Sequence, residues 1–462
     1  MRKLDPLGGN HDRPPVLQTY VPTLPSTAAP DSASTAGLVL APFRGVRYAE
    51  NRITGLAEVT SPPYDVIAAD NESQLMAADP HNVVRLILPR HQPGQPGSPY
   101  EDAATELTGW LADGILAPDP DPALYVYEQA TASTVIQRGL IGALRLAPYS
   151  ARIVQPHEDV APGPVTGRRQ LMEATEANLE PIFLLYQGGN GAATVLVDTI
   201  AGGRQPLAEA STSDGLRHRL WAITDPADLS SIAADLAPRT ALIADGHHRY
   251  AAYLQLQDRR RQAGAGDGPW DCGLAMLVDS MAYPPQLGAI HRVITGLVPE
   301  VAARLAESAF TVQELPAGTS DVSAALGALE DACKRDPVAF LLTGNGRAYL
   351  LTSPDGAQVN AAVPDYPAEL WQRLPAAVLE GLLFARIWAI EDDARSVRAI
   401  HDSAEAIRAA DAEPPATAVI CGPMSATQVY EVASLGRRVP RKSTSFGPKP
   451  RTGLVLRLFA ES

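Results

Sequence analysis

Two spacings of apolar residues alternate along the chain and predict its secondary structure. In "ALYVYEQAT", from Ala123, and "VIQRGLIGALRL", from Val135, apolar and polar positions alternate, which predicts paired antiparallel strands. In "PADLSSIAADLA", from Pro226, apolar residues recur every three or four positions, which predicts a helix. Because strand and helix patterns interleave throughout, the sequence predicts an α/β or α+β fold with mixed sheets and interleaved helices.

Further patterns predict individual elements. "NVVRLILP", from Asn82 to Pro89, is a β-branched run that predicts a buried strand. Residues 101–113 have the apolar spacing of a helix, and "GNGR", from Gly344, predicts a hairpin turn. The composition predicts three regions: a disordered tail at residues 1–37, a main ligand-binding α/β domain at 38–296, and a C-terminal α/β region at 297–462 that completes the site.

The composition also narrows the classes of partner. The formal net charge is -14 and the isoelectric point about 5.1, which argues against a nucleic-acid partner, because neutralising phosphates needs a basic face. No signal peptide or membrane-length apolar run is present, so the sequence predicts a cytoplasmic protein without membrane contact. Cys272, Cys333 and Cys421 are odd in number and far apart, which argues against a disulfide framework.

The segment "ALIADGHHRYAAYLQLQ" predicts a strand, a glycine turn and a helix. Such a junction presents main-chain N–H groups and the positive end of the helix to an anion. Gly246 permits close approach or positive φ, Asp245 is placed to cap the helix, and Arg249 offers a fork that matches phosphate oxygens. His247 and His248 are adjacent, so one is expected to face the ligand as general acid, general base or phosphate donor while the other supports the loop.

A purely structural interpretation of the same residues stays open. In it, Asp245 is only a helix cap, Arg249 pairs with an acid, and both histidines are satisfied within the fold. We favour the functional interpretation, because these polar groups directly follow an apolar strand, where α/β proteins bind ligands.

Other polar clusters add candidate residues. "QPHEDV" places Glu158 in a loop as a metal-binding carboxylate or a base, although a solvated charged loop explains it equally well. "SPPYDVI" carries Tyr64 and Asp65 on a stiff loop suited to a substrate contact or to catalysis, and Arg44 is a further candidate for the same pocket.

Asn178, His291 and Arg292 are candidate substrate contacts. Asparagine is also common at helix ends for structural reasons. "GAIHRVI" places His291 and Arg292 in an apolar setting, where a buried arginine needs an anionic ligand or an internal salt bridge.

The basic segment "RRVPRKSTSFGPKPR" predicts a second phosphate-binding loop in an otherwise acidic chain. Its alternation with proline, glycine and hydroxyl residues differs from a helix face. The candidate ligand contacts in it are Lys442, Ser443, Thr444 and Lys449.

Six of these motifs occur in an order that resembles a bacterial family, the domain of unknown function 1015: "SPPYDVI", "HEDV", "ANLEPIFLLY", "ADGHHRYAA", "HRVI" and "KSTSFGPKP". The resemblance covers nearly everything from Leu38 onward, and the family name implies no activity. Where the family has a stretch like Pro-Lys-x-Asp-Arg, this chain has "GPVTGRRQ", which retains Arg168 or Arg169 and puts a role for that segment in doubt.

More narrowly, "DGHHR" resembles the phosphate-binding box of the ParB and sulfiredoxin group, which includes free-serine kinases. This resemblance implies that Gly246, His247, His248 and Arg249 hold phosphates of a nucleotide or substrate at the head of the helix. It makes serine or phosphoserine the favoured substrate, with Mg²⁺ and ADP or ATP as cofactors.

The predicted function is therefore a phosphate-handling enzyme, a kinase or phosphatase acting on a small metabolite. Arg249 and Lys442 are expected to clamp phosphate, and Glu158 or Asp65 to bind metal or activate a hydroxyl. Two alternatives remain: a nucleotide-binding, ParB-like conformational switch without turnover, and a scaffold without ligand.

Overall fold

The strands that the structure describes assemble into two large sheets and three short pairs. A computed structural model describes residues 37–91, 96–362, 373–391 and 396–461. The strands in these residues are β1 (Leu40–Ala41), β2 (Val46–Tyr48), β3 (Leu116–Pro118), β4 (Leu124–Ala130), β5 (Val135–Arg145), β6 (Val154–Gln155), β7 (Ala177–Asn178), β8 (Ile182–Tyr186), β9 (Ala208–Ser211), β10 (Arg217–Ile223), β11 (Ala241–Asp245), β12 (Cys272–Asp279), β13 (Gln286–Ala289), β14 (His291–Thr295), β15 (Thr311–Glu314), β16 (Phe340–Gly344), β17 (Arg347–Thr352), β18 (Val397–Ile400), β19 (Ala416–Cys421), β20 (Thr444–Gly447) and β21 (Arg457–Leu458).

The helices are interleaved with the strands, as the apolar spacing predicts. In the described residues they are α1 (Leu56–Val59), α2 (Ala69–Ala78), α3 (Val84–Ile87), α4 (Pro99–Ala112), α5 (Pro162–Thr175), α6 (Ala192–Gly203), α7 (Pro226–Leu236), α8 (His247–Gln262), α9 (Pro299–Ala306), α10 (Val322–Arg335), α11 (Gly356–Ala362), α12 (Pro375–Val378), α13 (Ser403–Ala412) and α14 (Ala426–Ser434). Helix α12 continues as a π-helix, Leu379–Trp388. Local sequence explains several starts: Ser98 forms a capping box with Glu101 in α4, and Asp225 caps α7 ahead of a proline.

The larger sheet has the strand order β6-β11-β8-β12-β5-β4-β10-β9, with β1 paired to β5. The pairs β6/β11 and β8/β12 are parallel and the other neighbours are antiparallel, so the sheet is mixed. Helices α6, α7 and α8 pack on one face, and α3, α4 and α14 on the other. All five residues of β8 are buried, as expected for a central strand covered on both faces.

The smaller sheet has the order β15-β17-β16-β19-β14-β18, and every neighbouring pair is antiparallel. Helix α9 and the π-helix cover one face, while α10 and α13 cover the other. The ribbon formed by β13 and β20 connects the two sheets along the chain, because β13 follows β12 of the larger sheet and precedes β14 of the smaller one. The described residues belong to one compact unit.

The structure confirms the predicted mixed α/β class and bears on the local predictions. The hairpin turn at Gly344 joins β16 to β17. The predicted strand at Asn82–Pro89 is wrong: this run forms the short buried helix α3, and Oδ1 of Asn82 accepts the N–H of Val84 at 2.9 Å at its start. A short buried apolar run suits either element.

The predicted tail and the predicted domain boundary both stay predictions. The tail predicted at residues 1–37 lies, up to residue 36, outside the described residues. The division predicted at residues 296 and 297 stays a prediction. Among the described helices, none combines the length and the apolar character needed to cross a bilayer.

Candidate active site

The predicted strand, glycine turn and helix occur as β11, Gly246 and α8. Gly246 is the N-cap residue of α8 and has φ +94°. A Cβ atom there would lie 2.9 Å from Cγ2 of Ile182, so both the backbone angle and the available space require glycine. The predicted capping of α8 by Asp245 is wrong, because its carboxylate binds side chains of Arg249 and Lys449 instead.

Arg249 is buried and holds Asp245 in place. Its Nη2 atom lies 2.5 Å from Oδ2 of Asp245, and its Nη1 atom donates to the carbonyl of Pro181 at 2.7 Å. Burial opposes the charge, but the carboxylates of Glu180 and Asp245 raise the pKa of Arg249 above its ordinary value. Both Nη atoms are therefore engaged inside the protein, and the predicted contact of Arg249 with phosphate stays a prediction.

Two buried histidines are locked in defined tautomers by main-chain groups. Nδ1 of His157 lies 2.7 Å from the carbonyl oxygen of Ile243, so it carries the ring proton, and Nε2 accepts from the hydroxyl of Thr444 at 2.9 Å. Nε2 of His247 accepts the N–H of His157 at 3.3 Å, which leaves the ring proton of His247 on Nδ1. These assignments follow from the hydrogen-bond partners.

His248 is fixed in the same way, because its Nε2 atom accepts the N–H of Ala161 at 3.1 Å. Burial lowers the pKa of all three histidines: that of His157 falls to about 4, that of His247 lies well below its ordinary value, and that of His248 is lowered. They are therefore neutral near pH 7, which suits hydrogen-bond donors and acceptors. The predicted acid or base role of His247 or His248 stays a prediction.

Glu158 is the carboxylate that faces these histidines. Its Oε1 atom lies 3.5 Å from Nδ1 of His247, and its Oε2 atom accepts the N–H of Lys442 at 3.3 Å. Burial raises its pKa to about 7, and Asp245 adds to the effect, against the opposing influence of Lys442 N–H and Lys449. With 21% of its side chain exposed, Glu158 combines access to a ligand with a pKa suited to proton transfer at neutral pH.

The "SPPYDVI" loop also reaches this place. Oδ2 of Asp65 lies 3.0 Å from Nζ of Lys449, and the N–H of Tyr64 donates to Oε1 of Glu180 at 3.0 Å. Partial burial acts to raise the pKa of Asp65, but Lys449 and Arg249 hold it below its ordinary value. Asp65 therefore lies beside the "DGHHR" turn through its contact with Lys449, and the predicted substrate and catalytic roles of Tyr64 and Asp65 stay predictions.

The segment that departs from the family pattern forms part of helix α5 and supports the loop. The guanidinium of Arg168 lies 4.2 Å from the ring centre of Tyr64, and its Nη1 atom donates to the carbonyl of Ile87 at 2.7 Å. Arg169 pairs with Glu173 one turn further along the helix. Arg168 thus supports the "SPPYDVI" loop by stacking on the ring of Tyr64.

The basic segment near residue 442 borders the same site. Lys449 bridges two carboxylates, with Nζ at 2.5 Å from Oδ1 of Asp245 in addition to its contact with Asp65. Lys442 is exposed and bonds Glu158 through its main chain, while the hydroxyl of Ser443 donates to a neighbouring carbonyl. The sequence predicts a loop, but residues Thr444–Gly447 form strand β20.

Arg44 and Asn178 are engaged elsewhere in the protein. Arg44 forms an ion pair with Glu461 at 2.6 Å. Asn178 is buried, and its Oδ1 atom accepts from the N–H of Leu274 and from Arg457. The structure does not bring either side chain to the cluster around Glu158, and their substrate contacts stay predictions.

His291 and Arg292 are buried in β14. Nδ1 of His291 accepts the N–H of Cys421 at 3.2 Å. Arg292 donates to the carbonyls of Arg441 and Lys442 at 3.2 and 3.1 Å, so it anchors the main chain of the basic segment. Nη2 of Arg292 also lies 3.7 Å from Oε1 of Glu380, so the internal salt bridge that the sequence leaves open is present. The predicted substrate contacts of His291 and Arg292 stay predictions.

The sequence reasoning missed His157 and Glu180 as site residues. Glu180 is buried, accepts from Tyr64 and lies 3.6 Å from Arg168. An acidic residue inside the apolar run "NLEPIFLLY" was a usable signal, because a buried carboxylate needs a cationic partner.

The structure has a small cavity next to the site and a larger cleft away from it. A cavity of about 20 Å³ lies beneath it between Arg168, Glu180 and Arg249. A larger cleft of about 780 Å³ lies at the opposite end of β11, between Thr240 and Tyr430, and contains none of the predicted residues. Over the described ranges, no group of three or more His, Cys, Asp or Glu residues is placed to hold a metal, and the predicted Mg²⁺ contact of Glu158 stays a prediction.

The chain belongs to the family described as "Protein of unknown function (DUF1015)", whose model matches residues 40–377. A comparison with curated proteins finds no match. The chain is similar to three solved structures at low identity. A mutant free serine kinase in complex with ADP has 16% identity and a TM-score of 0.35, over 67% of this chain and 90% of that one.

The second structure, a free serine kinase in complex with AMP, has 14% identity and a TM-score of 0.34, over 72% of this chain and 96% of that one. The third, SbnI with C-terminal truncation from Staphylococcus aureus, has 12% identity and a TM-score of 0.33, over 69% and 87%. Likeness of this degree does not transfer an activity.

Proposed function

We propose that the protein is an enzyme that handles phosphate groups, by phosphoryl transfer to, or hydrolysis from, a hydroxyl of a small metabolite. The observation that carries this proposal is the position of Glu158, beside the N-terminus of helix α8 and next to Lys442 and Lys449. A base that titrates near pH 7 and a source of positive charge at one place are the two requirements of phosphoryl transfer.

Each group has a defined part in this proposal. The first N–H groups of α8 and the ammonium groups of Lys442 and Lys449 neutralise the phosphoryl oxygens. Ionised Glu158 accepts the proton of the attacking hydroxyl or water as its oxygen bonds to phosphorus and the bond to the leaving group breaks. Neutral His247 donates its Nδ1 proton toward Glu158 and holds the carboxylate in orientation.

Serine and phosphoserine are the first substrates to test, and ADP or ATP the first nucleotides, because of the resemblance of the "DGHHR" box to the ParB and sulfiredoxin group. Mg²⁺ is held in such sites by one or two carboxylates together with water and substrate phosphates, so Glu158 and Asp65 fit that requirement. When bound, the ion would add positive charge to the phosphates.

We also propose a cytoplasmic location. Cys272, Cys333 and Cys421 are free thiols, and unpaired cysteines suit a reducing compartment. If the protein is isolated in the presence of an alkylating agent, we expect all three cysteines to be alkylated, because none is oxidised.

The experiment is phosphorus NMR on the purified protein with Mg²⁺, run in parallel with serine plus ADP, serine plus ATP, and phosphoserine alone. New phosphoserine identifies a kinase, and free phosphate from phosphoserine alone identifies a phosphatase. Glu158→Gln is the matched control and should abolish either signal. Unchanged spectra together with tight nucleotide binding and a change of shape would instead support the conformational switch.

A further inference from the structure

Two buried glutamines face one another in the middle of the larger sheet. Gln129 of β4 and Gln137 of β5 are direct partners in the strand register and are 1% and 3% exposed. Positions buried in a sheet are normally apolar, because an amide removed from water is costly unless it is hydrogen-bonded. The two amides are therefore expected to have hydrogen-bond partners inside the protein.

The amides bind a segment more than 300 residues away along the chain. Nε2 of Gln137 donates to the carbonyl of Pro448 at 2.6 Å and also to Oε1 of Gln129. Nε2 of Gln129 donates to the carbonyl of Lys449 at 3.0 Å. The main chain on both sides of the Lys449 Cα atom is thus held by one amide pair.

A third buried side chain of the same sheet extends this attachment. The hydroxyl of Tyr127 accepts the N–H of Arg451 at 3.1 Å, and Tyr127 is fully buried. Two alternate residues of β4, Tyr127 and Gln129, together with Gln137 of β5 therefore hold the main chain of residues 448–451. From this backbone position, the side chain of Lys449 extends to Asp65 and Asp245.

Lys449, the residue that these contacts hold, is one of few lysines in the chain. The chain has 34 arginines but only four lysines, which are Lys3, Lys334, Lys442 and Lys449. A lysine offers a compact ammonium, whereas arginine offers a wide planar fork. At 2.5 Å from Asp245 and 3.0 Å from Asp65, the ammonium of Lys449 occupies a position between two carboxylates that suits a compact cation.

We propose that Gln129 and Gln137 are positioning residues that fix Lys449 in the site, so that its ammonium can exchange Asp65 for a phosphoryl group. The phosphoryl part of this inference rests on the proposed function. The positioning part does not, because it concerns contacts within the chain. Asp65 is the exchangeable partner, since its side chain is 37% exposed while that of Asp245 is 8% exposed.

The test follows Lys449 directly in the full-length protein by NMR with lysine labelled with carbon-13 at the ε position. Four lysines give four resolvable signals, and Lys449→Arg assigns the one of interest. In the unsubstituted protein this signal should lie apart from that of exposed Lys334. In Gln137→Leu, and separately in Gln129→Leu, the Lys449 signal should shift to the position of a solvent-exposed lysine such as Lys334.

Gln257→Leu is the matched control, because Gln257 is a buried amide whose Nε2 atom donates to Asp271 at 2.7 Å rather than to the main chain of residues 448–451. It should lower the melting temperature and leave the Lys449 signal in place. Two separate glutamine variants keep the test valid if one of them fails to fold. An unmoved Lys449 signal in a folded glutamine variant would overturn the proposal.

A second arm measures the affinity for pyrophosphate, used as the probe. Loss of one charge-assisted contact predicts an affinity about tenfold lower in either glutamine variant than in the Gln257 control. If the Lys449 signal moves but the unsubstituted protein binds no pyrophosphate, the positioning inference stands and the proposed function fails. If pyrophosphate binds equally in all variants, Lys449 does not hold the phosphoryl group.

Discussion

Nδ1 of His247 lies 3.5 Å from Oε1 of Glu158, and it is the nitrogen of the ring that carries the proton. Because Nε2 of His247 accepts the main-chain N–H of His157, the ring proton can only be on Nδ1. Within this pair, the carboxylate of Glu158 is therefore the group that can accept a proton from a substrate.

Replacing Glu158 with glutamine tests its role as the base. The amide oxygen can still accept the N–H of Lys442, so the loop should keep its conformation. Loss of a general base predicts a rate lower by about 100- to 10,000-fold, with nucleotide affinity changed by less than about threefold. Initial rates by phosphorus NMR and binding by calorimetry measure both. A rate within threefold of the unsubstituted protein would assign proton transfer to another residue.

The raised pKa of Glu158 also predicts a pH dependence of stability. The folded protein holds this proton with a pKa of about 7, against 4.5 for the ordinary carboxyl, so folding binds protons between those values. Within that window this residue makes the free energy of unfolding fall as pH rises. Glu158→Gln should therefore gain about 1–3 kcal/mol relative to the unsubstituted protein between pH 4.5 and pH 8. Denaturant unfolding at both pH values checks the sign, and an equal difference at both would contradict it.

Gly246→Ala should impair folding and ligand binding together. Alanine at φ +94° is strained, and its Cβ would meet Ile182, so we expect a loss of about 1–3 kcal/mol in the free energy of unfolding. Gly264 is the control, because it has φ +82° with open space around it and lies just beyond the other end of α8. Gly264→Ala should lose less stability and keep ligand affinity. Equal losses in the two variants would show that the contact with Ile182 has no effect.

Arg249→Ala should be strongly destabilising. It removes the partner of Asp245 and the donor to Pro181, which leaves buried polar atoms unpaired and predicts a cost of about 3–5 kcal/mol. Arg259→Ala, on the same helix but with an exposed ion pair, should cost about 0–1 kcal/mol. Thermal unfolding of both variants measures the two losses of stability. A stable Arg249→Ala protein that no longer binds pyrophosphate would instead assign the arginine to direct phosphate contact.

Local elements were readable from the sequence because their signals are local. The strand, the glycine turn and the helix around Gly246 were predicted from apolar spacing and one glycine, and the structure has all three. Helix α3 was predicted as a strand, because burial on all sides removes the periodicity that separates the two. The amide of Asn82 supports the helix from both sides, because its Oδ1 atom accepts the N–H of Val84 within the run and its Nδ2 atom donates to the carbonyl of Glu58 outside it.

The composition of the site was only partly readable. Glu158 and the "DGHHR" turn were recognised as separate polar clusters, but their contact joins residues about 90 positions apart. Lys449 meets Asp65 across 384 positions, and no local pattern encodes such a pairing. For Arg292 the sequence leaves a ligand and an internal salt bridge open, because its partners, Glu380 and the carbonyls of Arg441 and Lys442, follow about 90 to 150 residues later.

The order of the site residues along the chain has a consequence for synthesis. The carboxylates of Asp65, Glu158 and Asp245 are all translated before Lys442 and Lys449. On the ribosome, the acidic half of the site therefore exists for a time without the lysines that border it. During that interval Arg249 is the cation that pairs with Asp245, and the two lysines join the site only when the strand ending at Gly447 pairs with its ribbon partner.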